Sequence, residues 1–134
     1  MPIILATASS SRPLDPTRSF RAYADVVMSN PAGGGTSPTV QCLVDTGADY
    51  TILPLSLATA IGIMPTGPLV AFRTAAGTAF ALPSHPAVSL IVEGYAITVP
   101  VAFPAAAAFA PILGRLELVA AFDVGFDVTS WYWD

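Results

Sequence analysis

The sequence predicts a mostly-β domain with one short helix late in the chain. Three observations carry this. Apolar and polar residues alternate over short runs, the period of a half-buried strand. Thirteen prolines and ten glycines punctuate 134 residues, spacing that suits strands and turns and interrupts long helices. Arg115–Ala121 is the stretch with the best helix formers, Arg-Leu-Glu-Leu-Val-Ala-Ala, and it stands near the C-terminus.

In chain order, residues 1–18 read as an N-terminal arm, rich in Ser, Thr, Pro and Ala with little periodicity. The domain proper spans 19–134. From Ser19, Phe20, Ala22, Ala24, Val26 and Met28 alternate with Arg21, Tyr23 and Asp25, which predicts a half-buried strand. Asn30-Pro31-Ala32-Gly33-Gly34-Gly35 breaks it, and Thr39–Val44 returns as the partner strand. The triple glycine lacks the Gly-Lys-Ser/Thr ending of a phosphate cradle, so it reads as a flexible hairpin loop. Tyr50–Leu53 predicts a short strand. Pro54–Ile61 suits one or two helical turns, with Pro54 at the first helical position and Gly62 as C-cap. Leu69–Phe80 reads as two strands around the small-residue tip Thr74–Thr78. Ala87–Val92 and Tyr95–Phe103 form a second hairpin about Glu93-Gly94, and Phe126–Trp133 closes the chain as an aromatic strand.

Hydrophobic residues make up 54% of the chain and charged residues only 10%, against roughly 25% charged in ordinary domains. That leaves more apolar surface than a small monomer hides easily, and points to a membrane or a subunit interface. The charge-free stretches Tyr50–Phe72 and Gly94–Gly114 are long enough to cross a bilayer, but three prolines interrupt each. Such breaks would leave backbone groups unpaired in lipid, so no membrane segment is expected. Met1–Ser11 has no basic residue before its short apolar run Ile3–Leu5, which makes a poor signal peptide. A cytoplasmic location is the default expectation. The net charge is −4, with five arginines and no lysine, which argues against a nucleic-acid partner. A single cysteine, Cys42, excludes an internal disulfide. One histidine, His85, without a Cys or acid cluster gives no zinc ligand set, and neither a metal nor a cofactor is expected.

The chemistry concentrates in Leu43-Val44-Asp45-Thr46-Gly47-Ala48-Asp49. A carboxylate at the end of a buried strand is costly unless something uses it. Thr46 adds a small hydroxyl, and Gly47 a backbone free to fold back tightly. Near the C-terminus stands Pro111-Ile112-Leu113-Gly114-Arg115. Together the two segments resemble the retropepsin-like aspartic peptidases, the single-domain relatives of retroviral proteases. The resemblance covers most of Phe20 to Trp133. It implies a closed acid-protease barrel with one short C-terminal helix, working as a homodimer on peptide or protein substrates.

The same resemblance assigns roles. Asp45, Thr46 and Gly47 are the catalytic turn. Leu43, Ala48, Asp49, Ile52 and Ile112 border the substrate, as do Ala76 and Gly77 at the tip of a flap. Gly114 packs beside the turn, and Arg115 pairs with Asp49 to hold turn and helix together. Amide hydrolysis by water needs a base for the water and an acid for the carbonyl oxygen. Two carboxylates sharing one proton supply both, as in the aspartic proteases. The chain has a single Asp-Thr-Gly, so the second carboxylate is expected from Asp45 of another copy across a two-fold axis. That interface also accounts for the apolar excess.

The sequence departs from viral relatives in carrying one glycine, Gly77, at the flap tip and Leu116 after the Gly-Arg. Plainer readings stand beside these. Asp before Gly is a common turn former. Asp49–Arg115 is a salt bridge with no catalytic part. His85, between Pro83 and Pro86, is a loop residue, and Cys42 shares the core face with Val44. Trp131, Tyr132 and Trp133 form either a binding patch or an interface strand. The functional alternative to a peptidase is a non-catalytic domain that keeps the fold for dimerisation or peptide binding.

Overall fold

Ala22, Ala24, Val26 and Met28 are all buried, while Asp25 between them is exposed. The alternation read from sequence is thus the inward face of a real strand. A computed structural model describes residues 10–18, 21–45, 47–73, 77–105, 109–115, 124–126 and 130–133. Its strands, in order, are β1 (Ser10–Pro13), β2 (Tyr23–Asn30), β3 (Gly35–Thr36), β4 (Val40–Val44) and β5 (Thr51–Ile52). Then come β6 (Val70–Arg73), β7 (Ala79–Leu82), β8 (Ser84–Val92), β9 (Tyr95–Ala102) and β10 (Ile112–Leu113), followed by β11 (Val124–Phe126) and β12 (Ser130–Trp133). The predicted strand at Phe126–Trp133 is therefore two.

Six strands close into a barrel in the order β2-β4-β10-β5-β9-β8, with β8 pairing back onto β2. Closure removes the unpaired edges that an open sheet of such apolar strands would expose. β2 and β4 form the expected antiparallel pair, with Tyr23 opposite Leu43 and Val26 opposite Val40. β8 and β9 form the second hairpin through Glu93-Gly94, both with positive φ (48° and 89°), which matches the twist of a two-residue turn. Glu93 is an unusual residue there, and its contacts hold it. Its Oε2 accepts from Arg12 Nη1 at 2.8 Å and from the Asp25 amide at 2.6 Å.

β8 starts three residues earlier than expected and takes in His85, which is a strand residue and not a loop residue. A bulge makes this possible: His85 pairs with Val101 and Val88 with Val99, so β8 carries the extra residue. Pro86 has no amide to give the ladder, and the Ala87 amide donates to His85 Nδ1 at 3.1 Å.

The short helix lies at Leu55–Ala60, within the segment predicted for one or two turns. Pro54 is its N-cap, one position before the expected place. At the other end Ile63 N donates to Ala58 O and Gly62 N to Thr59 O, with Gly62 at φ 79°. This is a Schellman ending, and Gly62 supplies the left-handed residue. The triple-glycine loop is anchored to this ending. Asn30 Nδ2 donates to Ile61 O at 2.7 Å, and a Cβ at Gly34 would collide with that same carbonyl. The loop reads as flexible in sequence because its partner is distant in the chain. The late helix expected at Arg115–Ala121 lies, beyond Arg115, outside the described residues.

The arm is less loose than its composition suggests. β1 pairs antiparallel with β12, and β12 with β11, in a separate three-stranded sheet. Arg12 bridges this sheet to Asp25 and Glu93 on the barrel. Trp131 and Trp133 are buried within the chain's own core, their rings 4.4 Å apart, so these two rings form no exposed patch. Trp131 Nε1 donates to Tyr23 O across the two sheets. Cys42 is fully buried, and burial, with a smaller push from Asp25, raises its thiol to about 12. Among the described residues no helix is long and apolar enough to cross a membrane.

Candidate active site

β4 ends at Val44 with its side chain in the core, which turns Asp45 to the opposite face, half-buried at the barrel's rim. β10 lies between β4 and β5, parallel to the first and antiparallel to the second. The parallel ladder continues past the strand ends, because Leu43 N donates to Pro111 O (3.1 Å) and Asp45 N to Leu113 O (3.0 Å). The backbone of Asp45 is thereby fixed by a segment almost seventy residues away.

The turn after Asp45 closes on itself. Ala48 N donates to Asp45 O at 3.1 Å, and Gly47 N donates to Asp45 Oδ1 at 3.0 Å. The carboxylate is aimed by a backbone donor and keeps acceptor capacity free. Arg115 N donates to Ala48 O at 2.8 Å, and Arg115 Nε to Asp49 Oδ1 at 2.7 Å. Between these bonds lies Gly114, whose amide donates to buried Thr51 Oγ1 at 3.1 Å. A Cβ at Gly114 would overlap the Tyr50 carbonyl group, so only glycine fits this approach. The turn is held mainly by backbone hydrogen bonds; the Asp49–Arg115 side chains are 63% and 51% exposed and add a solvated pair.

Asp45 opens onto a cavity of about 400 Å3. The cavity is lined by Gly47, Ala48, Asp49 and Tyr50 of the turn, by Ile52 and Ile112 of β5 and β10, and by Ala71, Phe72 and Arg73 of β6. The β6–β7 hairpin is seated by aromatic contacts. Tyr50 meets Phe72 edge-on at 6.2 Å, Phe72 stacks on Phe80 at 5.6 Å, and Phe80 meets Phe109 at 5.2 Å. Phe72, Phe80 and Ile112 also pack on a small second core of Ile52, Leu82 and Ala102.

Of the residues singled out from sequence, Asp45, Gly47, Ala48, Asp49, Ile52 and Ile112 meet at this cavity. Leu43 shares the face of Asp45 but is not among the lining residues, because it pairs with Tyr23 and Ile112 farther along the strand. Gly77 stands at the hairpin tip with φ 88°, its carbonyl accepting from Arg73 Nη1. Thr46 and Ala76 lie outside the described residues. Tyr50, Phe72 and Arg73 also line the cavity, and no motif in the sequence marks them. Tyr50 follows the motif directly, and Phe72 and Arg73 lie on a predicted strand beside the tip, so strand alternation was the available signal.

A family model described as "gag-polyprotein putative aspartyl protease" matches residues 35–115, from β3 through the Asp45 turn to Arg115. The chain belongs to this family. A search of curated proteins found no match. The match to this aspartyl protease family agrees with the resemblance carried by the two motifs, and it contains the residues that line the cavity.

Proposed function

We propose that the protein is an aspartic endopeptidase whose catalytic dyad is built from Asp45 of two copies of the chain. The observation that carries this is the division of labour between the cavity's two carboxylates. Asp49 is engaged by Arg115, while the Asp45 carboxylate, among the described residues, accepts from the Gly47 amide and lines the cavity. One carboxylate of a chain is thus left for acid–base work, and hydrolysis needs two groups.

In the proposed reaction the dyad carries one proton, since two carboxylates about 3 Å apart do not both ionise. The ionised Asp45 takes a proton from a water held between the pair, and the water oxygen bonds to the scissile carbonyl carbon. The protonated Asp45 of the second copy gives its proton to the carbonyl oxygen. The resulting diol collapses as the amide nitrogen takes a proton, the C–N bond breaks, and an amine and a carboxylic acid leave. Thr46 is assigned to a hydrogen bond across the two-fold axis, and the β6–β7 hairpin to a flap over the substrate. Ile52, Ile112 and Phe72 offer apolar contacts to the side chains flanking the cleaved bond.

A site divided between two chains exists only in the dimer. Specific activity on a denatured protein substrate is therefore expected to fall as enzyme is diluted through the dimer dissociation range, tracked by sedimentation. Constant specific activity in a demonstrated monomer would remove the shared dyad.

A further inference from the structure

The cleft contains a cation that amide hydrolysis does not require. Arg73 ends β6 and lines the cavity beside Phe72. Three other arginines are in ion pairs: Arg12 with Glu93 and Asp25, Arg18 with Asp15, and Arg115 with Asp49. Arg21 and Arg73 have none among the described residues, and of these two it is Arg73 that lines the cavity. The chain has nine acids against five arginines, so carboxylates are plentiful; of the two that line the cavity, Asp49 is taken by Arg115 at 2.7 Å, and Asp45 makes no ion pair with Arg73.

Arg73 is also oriented. Its Nη1 donates to Gly77 O at 3.0 Å across the end of the hairpin. A planar guanidinium has five N–H groups, so one bond to a carbonyl leaves an edge of paired donors with the geometry to grip a carboxylate. The same cavity is lined by apolar Phe72, Ile52 and Ile112. Apolar surface beside an oriented, unpaired guanidinium fits a ligand that carries an apolar group next to a carboxylate.

We propose that Arg73 is a carboxylate-recognition residue of the cleft, selecting peptides that present a carboxylate close to an apolar residue at the cleaved bond. The proposal rests on the peptidase reading of the cleft. The carboxylate has two possible sources, an Asp or Glu side chain within the peptide or the peptide's own C-terminus. A lysine would serve less well, because a point charge lacks the paired geometry.

The test is binding of non-cleavable reduced-amide peptides with an apolar pair at the centre, followed by fluorescence anisotropy. One set carries Glu or Gln at each flanking position with an amidated C-terminus, and another carries Gln with a free C-terminus. Wild type is expected to bind a carboxylate-bearing peptide up to about fivefold tighter than its neutral partner, the upper end for an exposed guanidinium–carboxylate pair. The preference should shrink as salt is raised, vanish in Arg73→Gln and survive in part in Arg73→Lys. Preference in the Glu set assigns an internal side chain, and preference in the free-terminus set assigns the chain end; either supports the proposal. Equal binding of charged and neutral peptides by wild type, binding of none of them, or a preference that Arg73→Gln retains would overturn it. Cleavage of an ordinary neutral peptide by wild type, measured in parallel, reports separately on the peptidase reading.

Discussion

Replacing Gly114 by alanine tests what holds the Asp45 turn in place. The added Cβ would overlap the Tyr50 carbonyl carbon and oxygen and lie 2.9 Å from Thr51 N. All three are backbone atoms and cannot rotate aside, so β10 must move away from β5. Overpacking of this kind costs roughly 1–3 kcal/mol. The shift also strains the buried Gly114 N–H to Thr51 Oγ1 bond, worth about 1 kcal/mol. The expected loss is about 3 kcal/mol. With a urea slope of about 2 kcal/mol/M, the unfolding midpoint should fall by roughly 1.5 M. Because Leu113 O receives the Asp45 amide, activity should fall with it. Gly47→Ala is the control: its Cβ meets only Asp45 Oδ1, at 3.2 Å. It should displace the carboxylate and lower activity while leaving the midpoint within about 0.3 M of wild type, as for an exposed change. If Gly114→Ala unfolds at the wild-type midpoint, β10 does not pack as described and the anchoring argument is wrong.

Arg115→Ala should cost less than about 1 kcal/mol in thermal unfolding, because its pair with Asp49 is largely solvated and its backbone bond to Ala48 O survives. A loss as large as that of Gly114→Ala would show that the side chains, and not the backbone, lock the turn. Cys42 should resist alkylation in the native protein at pH 8 and react fully in denaturant, read by mass spectrometry; rapid native labelling would contradict its burial. Its thiol is raised from 9.0 to about 12, so the fold favours the protonated form. That contribution is intact below pH 9, where both states keep the proton, and is lost as pH rises toward 12, where only the unfolded chain has released it. A denaturant midpoint that climbs across pH 9–11 in wild type relative to Cys42→Ala would reverse this sign.

The parts of the fold that sequence conveyed well were those with a strict local period. β2 buries every second position from Ala24 to Met28, continuing the period of Ala22 just before it, and the Glu93-Gly94 hairpin carries its own turn residues. The cleft was legible through two short motifs whose roles are local: an acid at a strand end, and a glycine where backbones meet. What escaped depends on distant partners. The triple-glycine loop is held by Ile61, and β1 is a strand only because β12 lies beside it. His85 looks like a loop residue between prolines until the bulge against Val99–Val101 accommodates Pro86. Exposure of the Asp49–Arg115 pair was equally unreadable, since charge complementarity says nothing of solvent. Arg73 carries no sequence signal, because a lone arginine on a short strand has no motif; its meaning comes from the cavity it lines and from Asp49 being already paired.

The most direct measurement is peptide cleavage by Asp45→Asn beside wild type at equal dimer concentration. The asparagine Oδ1 can still accept from the Gly47 amide, as Asp45 Oδ1 does at 3.0 Å, so thermal unfolding should match wild type. The shared proton is lost with the carboxylate pair, and cleavage should drop at least hundredfold, the usual range for removing acid–base catalysis. Cleavage at the wild-type rate by a folded Asp45→Asn protein would contradict the account and leave the fold as a binding or dimerisation module.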